Sequence, residues 1–379
     1  MGELFLHWGE IREFFSVLKE ITYINAASVG ILPDTAVKAA QEWLNERRYG
    51  NIYWLSWYEK FSEAKALFAE VIKTRADNVC GVYNTTEGLN FVANSIRWKA
   101  GENIVINDLE FPTNVFIWQI VARKHGLELK VVKNRNGVLH IEDYERVIDD
   151  KTRAIAVSWV EFSNGYVHDL KALAEIAHEH NAYLIVDGIQ GVGSLYIDVE
   201  RWGIDFLACG GHKWLLGFPG SGFLYVRREI LDELDIPFAG WLGDKDPYDF
   251  SFREFRPADS AKRFELGSPS FIGYVALERS LKLILDIGIE RIQKRNLELA
   301  RYLIEELGER YEIESPLNDG YPVSPIIRIK VAKSDEMVKK LREHKIFVAS
   351  RRGGIRVSPH FYNDESDIDK FVRALKQAT

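Results

Sequence analysis

YLIVDGIQGVG (residues 183–193), followed by DFLACGGHKWLLGFPGSGFLYV (residues 205–226), decides the fold of this chain. In the first segment four apolar or aromatic residues lead to Asp187, which reads as a buried parallel strand delivering a carboxylate at its carboxyl end. In open α/β sheets that edge is where ligand crevices form. In the second segment an apolar strand runs into Gly210, Gly211, His212 and Lys213, and WLLGFPGSG folds tightly over them. Most lysines cover surfaces. One presented from a crowded apolar turn has the desolvated setting in which an amine forms Schiff bases. Taken alone, Asp187 reads equally as a strand-end carboxylate capping the next turn.

The pair says more than either residue. An aldehyde cofactor built on a pyridine ring needs one amine to carry it and one carboxylate to keep its ring nitrogen protonated. Asp187 and Lys213 supply those groups, and here the chain resembles the fold-type I pyridoxal phosphate enzymes. More narrowly, it resembles the class V aminotransferase group that includes cysteine desulfurases, isopenicillin N epimerase-like proteins and kynureninase. The resemblance covers nearly the whole chain. It implies an α/β fold: a large domain with a mixed, mainly parallel seven-stranded sheet (residues 23–257), and a small α+β C-terminal domain (residues 258–379) joined by the N-terminal segment (residues 1–22). It also implies pyridoxal 5′-phosphate as cofactor, Lys213 as its Schiff-base lysine, Asp187 on the pyridinium nitrogen, Gln190 donating to the phenolic oxygen, and His212 supporting phosphate or ring.

Other motifs extend the match. YNTTEGLNFVANSI (residues 83–96) resembles the family's phosphate-binding turn, with Thr85 and Thr86 leading into a helix whose free N–H groups favour an anion. Thr-x-Glu before an apolar helix also reads as plain N-cap chemistry. In GENIVINDLEFPTNVFIW (residues 101–118) the ring expected to stack on the cofactor is Phe111, followed by Pro112 as in kynureninase-like and epimerase-like members; ordinary core is the other reading of that ring. RFELGSPSFIGYVALERSL (residues 263–281) resembles a Gly-Thr/Ser-Pro signature in which Ser268 would reach the phosphate of the neighbouring subunit, so that two chains of a homodimer build each site. A simple turn before a helix explains Gly267 to Pro269 as well. GGIRVSPHFYNDESDIDKF (residues 353–371) places Arg356 as a planar clamp for the substrate carboxylate, or as a surface arginine on a strand. YINAASVGILP (residues 23–33) brings Asn25 and Ala27 near that carboxylate.

Departures from the family pattern bear on the reaction. Desulfurases of this group carry a cysteine on a loop shortly before the carboxylate-binding arginine, because a thiolate takes the sulfur. This chain's two cysteines are Cys80 and Cys209, and Cys209 reads as a small buried hydrophobe. Gly210 replaces a serine, which removes one phosphate hydroxyl and leaves more to Thr86 and Ser268. With Phe111 over the ring and no loop cysteine, the reading is an aminotransferase acting on amino and keto acids. An epimerase-like or carbon–sulfur lyase (desulfurase-like) activity is the runner-up, and a cofactor-bound regulatory protein without turnover is the remote third. Trp118, Glu161, Phe162 and Trp241 are the candidates for a side-chain pocket.

Composition agrees with an enzyme of this size. The chain has 379 residues, 46% hydrophobic and 28% charged, which suits a large core plus a smaller lobe. A formal charge of −7 and the lack of a basic stripe argue against a nucleic-acid surface. No apolar run approaches a membrane span, and the opening MGELFLHWGEIREFF is too charged and aromatic for a signal peptide, so a cytoplasmic location is expected. Two cysteines exclude a disulfide framework. His178 and His180 lie two apart and face different ways on their helix, so no catalytic metal is expected. Residues 154–160, 171–180 and 183–187 read as strand, crossover helix and parallel strand, and residues 275–307 as two helices broken near Gly288.

Overall fold

A computed structural model describes residues 6–50 and 53–378. Residues 1–5, part of the expected N-terminal segment and of the stretch weighed as a signal peptide, lie outside the described residues.

Seven strands form the central sheet: β1 (Val79–Val82), β2 (Asn103–Asn107), β3 (Glu128–Val132), β4 (Thr152–Ser158), β5 (Tyr183–Asp187), β6 (Phe206–Gly210) and β7 (Gly222–Val226). Their spatial order is β1-β7-β6-β5-β4-β2-β3. Only β7 runs against its neighbours, pairing antiparallel with both β1 and β6, while the remaining pairs are parallel. Every residue of β2, β5 and β6 is buried, as the apolar cores of these strands require when both faces are covered.

Helices α1 (Asp34–Arg48), α2 (Trp54–Val71), α3 (Thr85–Ser95), α4 (Thr113–His125) and α5 (Leu170–Glu179) cover the sheet or connect its strands. The crossover from β4 through α5 to β5 is the one the apolar spacing predicts. Because the parallel strands share one direction, their carboxyl ends gather at one edge of the sheet. The loops leaving β1, β2, β4, β5 and β6 there carry most of the site residues.

Helices α6 (Phe271–Ile287) and α7 (Ile289–Leu307) meet at Gly288, and α6 contributes Phe271, Tyr274, Leu277 and Leu281 to the same apolar cluster as the sheet. A separate cluster starts with Ile24, runs from Leu299 on α7 to Leu375, and fills the small lobe. That lobe holds β8 (Ile327–Lys330), β9 (Ala349–Arg351) and β10 (Gly354–Val357) in the order β8-β10-β9, with helices α8 (Ser334–Glu343) and α9 (Glu365–Ala378). The N-terminal segment joins it through Thr22–Tyr23, which pairs with Ile346–Phe347, and through an Arg12–Asp367 ion pair at 2.7 Å.

The hairpin between β9 and β10 positions the site directly. Arg351 pairs with Gly354 and Ala349 with Arg356. The two residues between the strands both have positive φ, 47° at Arg352 and 80° at Gly353. That is the geometry of a tight two-residue hairpin turn, whose twist matches the strands and in which glycine is favoured.

Candidate active site

A cavity of about 280 Å³ lies at the carboxyl edge of the sheet, near the lower end of the range for small-molecule sites. It is lined by Ala27, Ser28, Asn84, Thr85, Thr86, Phe111, Thr113, Ser158, Phe162, Asp187, Ile189, Gln190, His212, Lys213, Arg351 and Arg356. Nine of the eleven residues that the sequence places at the cofactor or the substrate carboxylate line it; Asn25 and Ser268 do not.

Lys213 follows β6 in a turn held by backbone contacts. Gly211 N–H donates to Ser221 O at 2.7 Å, Gly217 N–H to Gly211 O at 2.8 Å, and Gly30 N–H to His212 O at 2.9 Å. The approach of residue 30 is so close that a Cβ there would sit 2.0 Å from Lys213 O, which only glycine avoids. Burial lowers the Lys213 amine to about 8 against the opposing pull of Asp187, with Arg356 and Arg351 adding to the drop. At neutral pH the amine is thereby brought nearer to its nucleophilic, uncharged form.

Asp187 closes β5 and is 4% exposed, with its Oδ1 accepting from Ile189 N–H at 3.0 Å. Desolvation raises its carboxyl to about 6, opposed by that amide and by Lys213. A cation arriving beside it would restore full ionisation. His212 is lowered to about 4 by burial and by Lys213, so its ring is neutral. Gln190 donates Nε2 to Ala27 O at 3.0 Å and accepts from Trp214 Nε1 at 2.9 Å. Its amide is thus fixed in orientation, with a second N–H still to donate.

At α3 the capping residue is Asn84, whose side chain accepts from Glu87 N–H at 2.9 Å. The two threonines therefore do not cap. Thr85 Oγ1 accepts from Gly210 N–H at 2.9 Å, and Thr86 Oγ1 lies 3.1 Å from Thr113 Oγ1. Both hydroxyls stand in the cavity wall at the positive end of a helix, the setting that favours a phosphate.

Phe111 is 45% exposed, its ring centroid 5.9 Å from Lys213 Nζ and 5.2 Å from Phe162 in an edge-to-face contact. It belongs to the cavity and not to the core. The loop beneath it is fastened by Glu110, whose carboxylate accepts from Asn107 Nδ2, Asn114 Nδ2, Ser158 N and Ser158 Oγ at 2.6 to 3.0 Å. Burial still raises Glu110 to about 7.

Arg356 on β10 is 1% exposed. It donates Nη1 to Phe162 O at 2.6 Å and Nη2 to Ser28 Oγ at 2.7 Å, and its Nε is buried with no partner. Burial and neighbouring Arg351 lower it to about 9. A buried guanidinium whose bonds end on neutral oxygens is costly, and an incoming carboxylate offsets that cost. Ser28 was not singled out in the sequence, where it reads as one small residue in a turn; it links Arg356 to Asn25 by donating to Asn25 Oδ1 at 2.8 Å. Asn25 stands behind it.

Of the four candidates for a side-chain pocket only Phe162 lines the cavity. Trp118 is fully buried with its Nε1 on Asn114 Oδ1, Glu161 is fully buried behind the wall, and Trp241 lies on the surface, meeting Tyr248 edge-to-face and Phe250 at a tilt. Ser268 is exposed outside the cavity, its carbonyl accepting from Tyr83 OH at 3.2 Å.

A half-buried amine of lowered pKa, a buried carboxylate, hydroxyls at a helix N-terminus and a guanidinium bonded only to neutral oxygens around one cavity fit pyridoxal phosphate. Fold and site together define a pyridoxal phosphate-dependent enzyme of fold type I. The model of the family "Aminotransferase class-V" matches residues 22–374, and the chain belongs to that family. It is 31% identical over 98% of its length to an uncharacterized aminotransferase, YcbU, of Bacillus subtilis, covering 98% of that protein. It is 28% identical to a probable cysteine desulfurase of Pyrococcus abyssi, with 97% of this chain and 96% of that one aligned. The apo structure of a cysteine desulfurase from Thermococcus onnurineus superposes with a TM-score of 0.88 at 26% identity, over 98% of this chain and 97% of that one.

Proposed function

We propose that this enzyme transfers the amino group of an amino acid to a keto acid. Bound pyridoxal phosphate supplies an electron sink for the charge left on the substrate's α-carbon. Lys213 holds it covalently, Asp187 keeps its ring nitrogen protonated, Phe111 covers its ring, and Gln190 and His212 flank it. Thr85, Thr86 and the α3 amides hold its phosphate. Arg356 fixes the substrate α-carboxylate with Ser28 at its side, and Asn25 steadies Ser28. Lys213, once freed, is the amine placed to take the proton from the substrate α-carbon and hold it for return.

The observation that carries transamination over desulfuration is the β9–β10 hairpin. Where a thiol-bearing loop is expected before the arginine, a two-residue turn joins the strands. Both cysteines are buried in strands, and burial pushes each thiol up, so neither serves as a thiolate.

We further propose a cytoplasmic homodimer in which each chain's Ser268 completes its partner's phosphate seat. The exposed position of Ser268 supports this, as do the solvent-facing aromatics Phe238, Phe250 and Phe252. Two free cysteines fit a reducing compartment, and among the described residues no helix is long and apolar enough to cross a membrane.

The test is to titrate the holoenzyme with L-amino acids in the absence of acceptor. Conversion of the visible cofactor band with stoichiometric keto acid is the expected result. A band that shifts and recovers without keto acid would move the assignment to epimerase or lyase chemistry.

A further inference from the structure

The substrate side of the cavity carries one more cation than an ordinary amino acid uses. Lys213, Arg351 and Arg356 line it, against the single carboxylate of Asp187. In the proposed reaction Asp187 is committed to the cofactor, Lys213 first carries the cofactor and then, once freed, takes the α-proton, and one α-carboxylate neutralises Arg356. Arg351 is left over. The proposed phosphate seat does not include it, being built from Thr85, Thr86, the α3 amides and the partner's Ser268.

Arg351 is aimed by the fold and not by chance. It ends β9 opposite Gly354, so it lies on the same face of the hairpin as Arg356, two residues further along β10. Diagonal neighbours of this kind are roughly 7–8 Å apart at the backbone, close enough for long side chains to meet. They do meet: Arg356 Nη2 is 2.7 Å from Ser28 Oγ and Arg351 Nη2 is 3.5 Å from the same oxygen. The other bond of Arg351 runs from Nη1 to Ser350 O at 2.7 Å, again a neutral acceptor.

Depth separates the two guanidinia. Arg356 is buried, while Arg351 is only half-buried and stands next to exposed Arg352, whose guanidinium lies 5.5 Å from the Phe162 ring. An amino acid held by its α-carboxylate on Arg356 therefore directs its side chain along a wall that is apolar at Phe111 and Phe162 and positive at Arg351.

We infer that the preferred substrate is an amino acid with an acidic side chain, its α-carboxylate on Arg356 and its second carboxylate on Arg351. This rests on the proposed role of Arg356. A neutral side chain leaves the half-buried second guanidinium without a counter-charge, and that difference is the basis of the selectivity.

Two measurements on the holoenzyme test this separately from the reaction type. In single turnovers with L-aspartate, L-glutamate, L-asparagine, L-glutamine and L-alanine, the acidic amino acids should release keto acid with second-order rate constants at least about 100-fold above those of their amides. In calorimetric titrations with succinate and butyrate, which cannot react, succinate should bind at least about 10-fold tighter. Arg351→Gln should erase both preferences, and Arg351→Lys should keep part of them. Amides that react as well as the acids, or equal binding of succinate and butyrate, would overturn the inference. So would an Arg351→Gln variant that weakens both probes alike, because the two arginines would then grip one carboxylate together. If keto acid is never released but Arg351 still selects succinate, transamination falls and the second anion seat stands.

Discussion

Arg356 donates to Ser28 Oγ at 2.7 Å across more than three hundred residues of chain, and Ser28 in turn donates to Asn25 Oδ1 at 2.8 Å. The N-terminal turn thus orients the guanidinium on β10. Replacing Arg356 by alanine should cost about 2 to 5 kcal/mol of substrate binding, since the pair with the carboxylate is desolvated. That corresponds to a Michaelis constant raised roughly 30-fold to several thousand-fold. Ser28→Ala removes one bond to a charged group and should cost about 1.5 to 3 kcal/mol at most. Steady-state kinetics of both variants check this, and an unchanged Michaelis constant in Arg356→Ala rules out the clamp.

Asp187→Asn should separate cofactor binding from chemistry. The amide keeps the shape and the acceptor for Ile189 N–H but cannot hold a ring nitrogen protonated. Cofactor should stay bound, while exchange of the substrate α-proton for solvent deuterium slows by at least about 100-fold. Proton NMR of the substrate in heavy water reads the exchange. A variant exchanging at the normal rate would leave Asp187 a structural carboxylate.

How much of this was legible beforehand follows from where each signal resides. Asp187 and Lys213 could be found because a buried apolar strand ending in a charged residue is a local pattern. The site depends on that strand's carboxyl end wherever the rest of the chain goes. Ser28 and Arg351 could not, because their meaning comes from packing between the N-terminal turn and a hairpin at the far end of the chain. At α3 the capping pattern was visible but belongs to Asn84, which leaves Thr85 and Thr86 unengaged in capping. Trp118 and Trp241 show the limit of composition: an aromatic near a site in sequence says nothing about which side of its element it faces. Trp118 points into the layer behind α4 and bonds Asn114. Glu110, one residue before Phe111, acquires its importance from four donors on three different segments.

Gly30→Ala tests whether the lysine turn depends on close backbone approach. The added Cβ would meet Lys213 O at 2.0 Å and Leu216 Cδ2 at 2.8 Å. A carbonyl in a hydrogen-bonded turn cannot yield as a flexible side chain would, so the strain should destabilise the fold by about 1 to 3 kcal/mol. It should also displace Lys213 and lower cofactor occupancy. Urea unfolding and the visible absorbance of the purified variant report the two effects. Full occupancy with an unchanged midpoint would show that residues 30 and 213 move apart without cost.

The same lysine makes a prediction about the apoprotein. Burial lowers the folded-state pKa of Lys213 from 10.5 to about 8. Below pH 8 the amine is protonated in both folded and unfolded chains, and the fold bears the full cost of a desolvated charge, roughly 3 kcal/mol. Between pH 8 and 10.5 the unfolded chain binds more protons than the folded one, so this cost is relieved as pH rises, and above about 10.5 it is gone. Lys213→Met, which fills similar space without charge, should therefore stabilise the apoprotein most at pH 7 and progressively less toward pH 10. Urea midpoints of wild type and variant across that range measure it. A difference that stays flat with pH would mean the amine is hydrated in the cavity, and the nucleophilic activation assigned to Lys213 would have to come from the cofactor site's other charges.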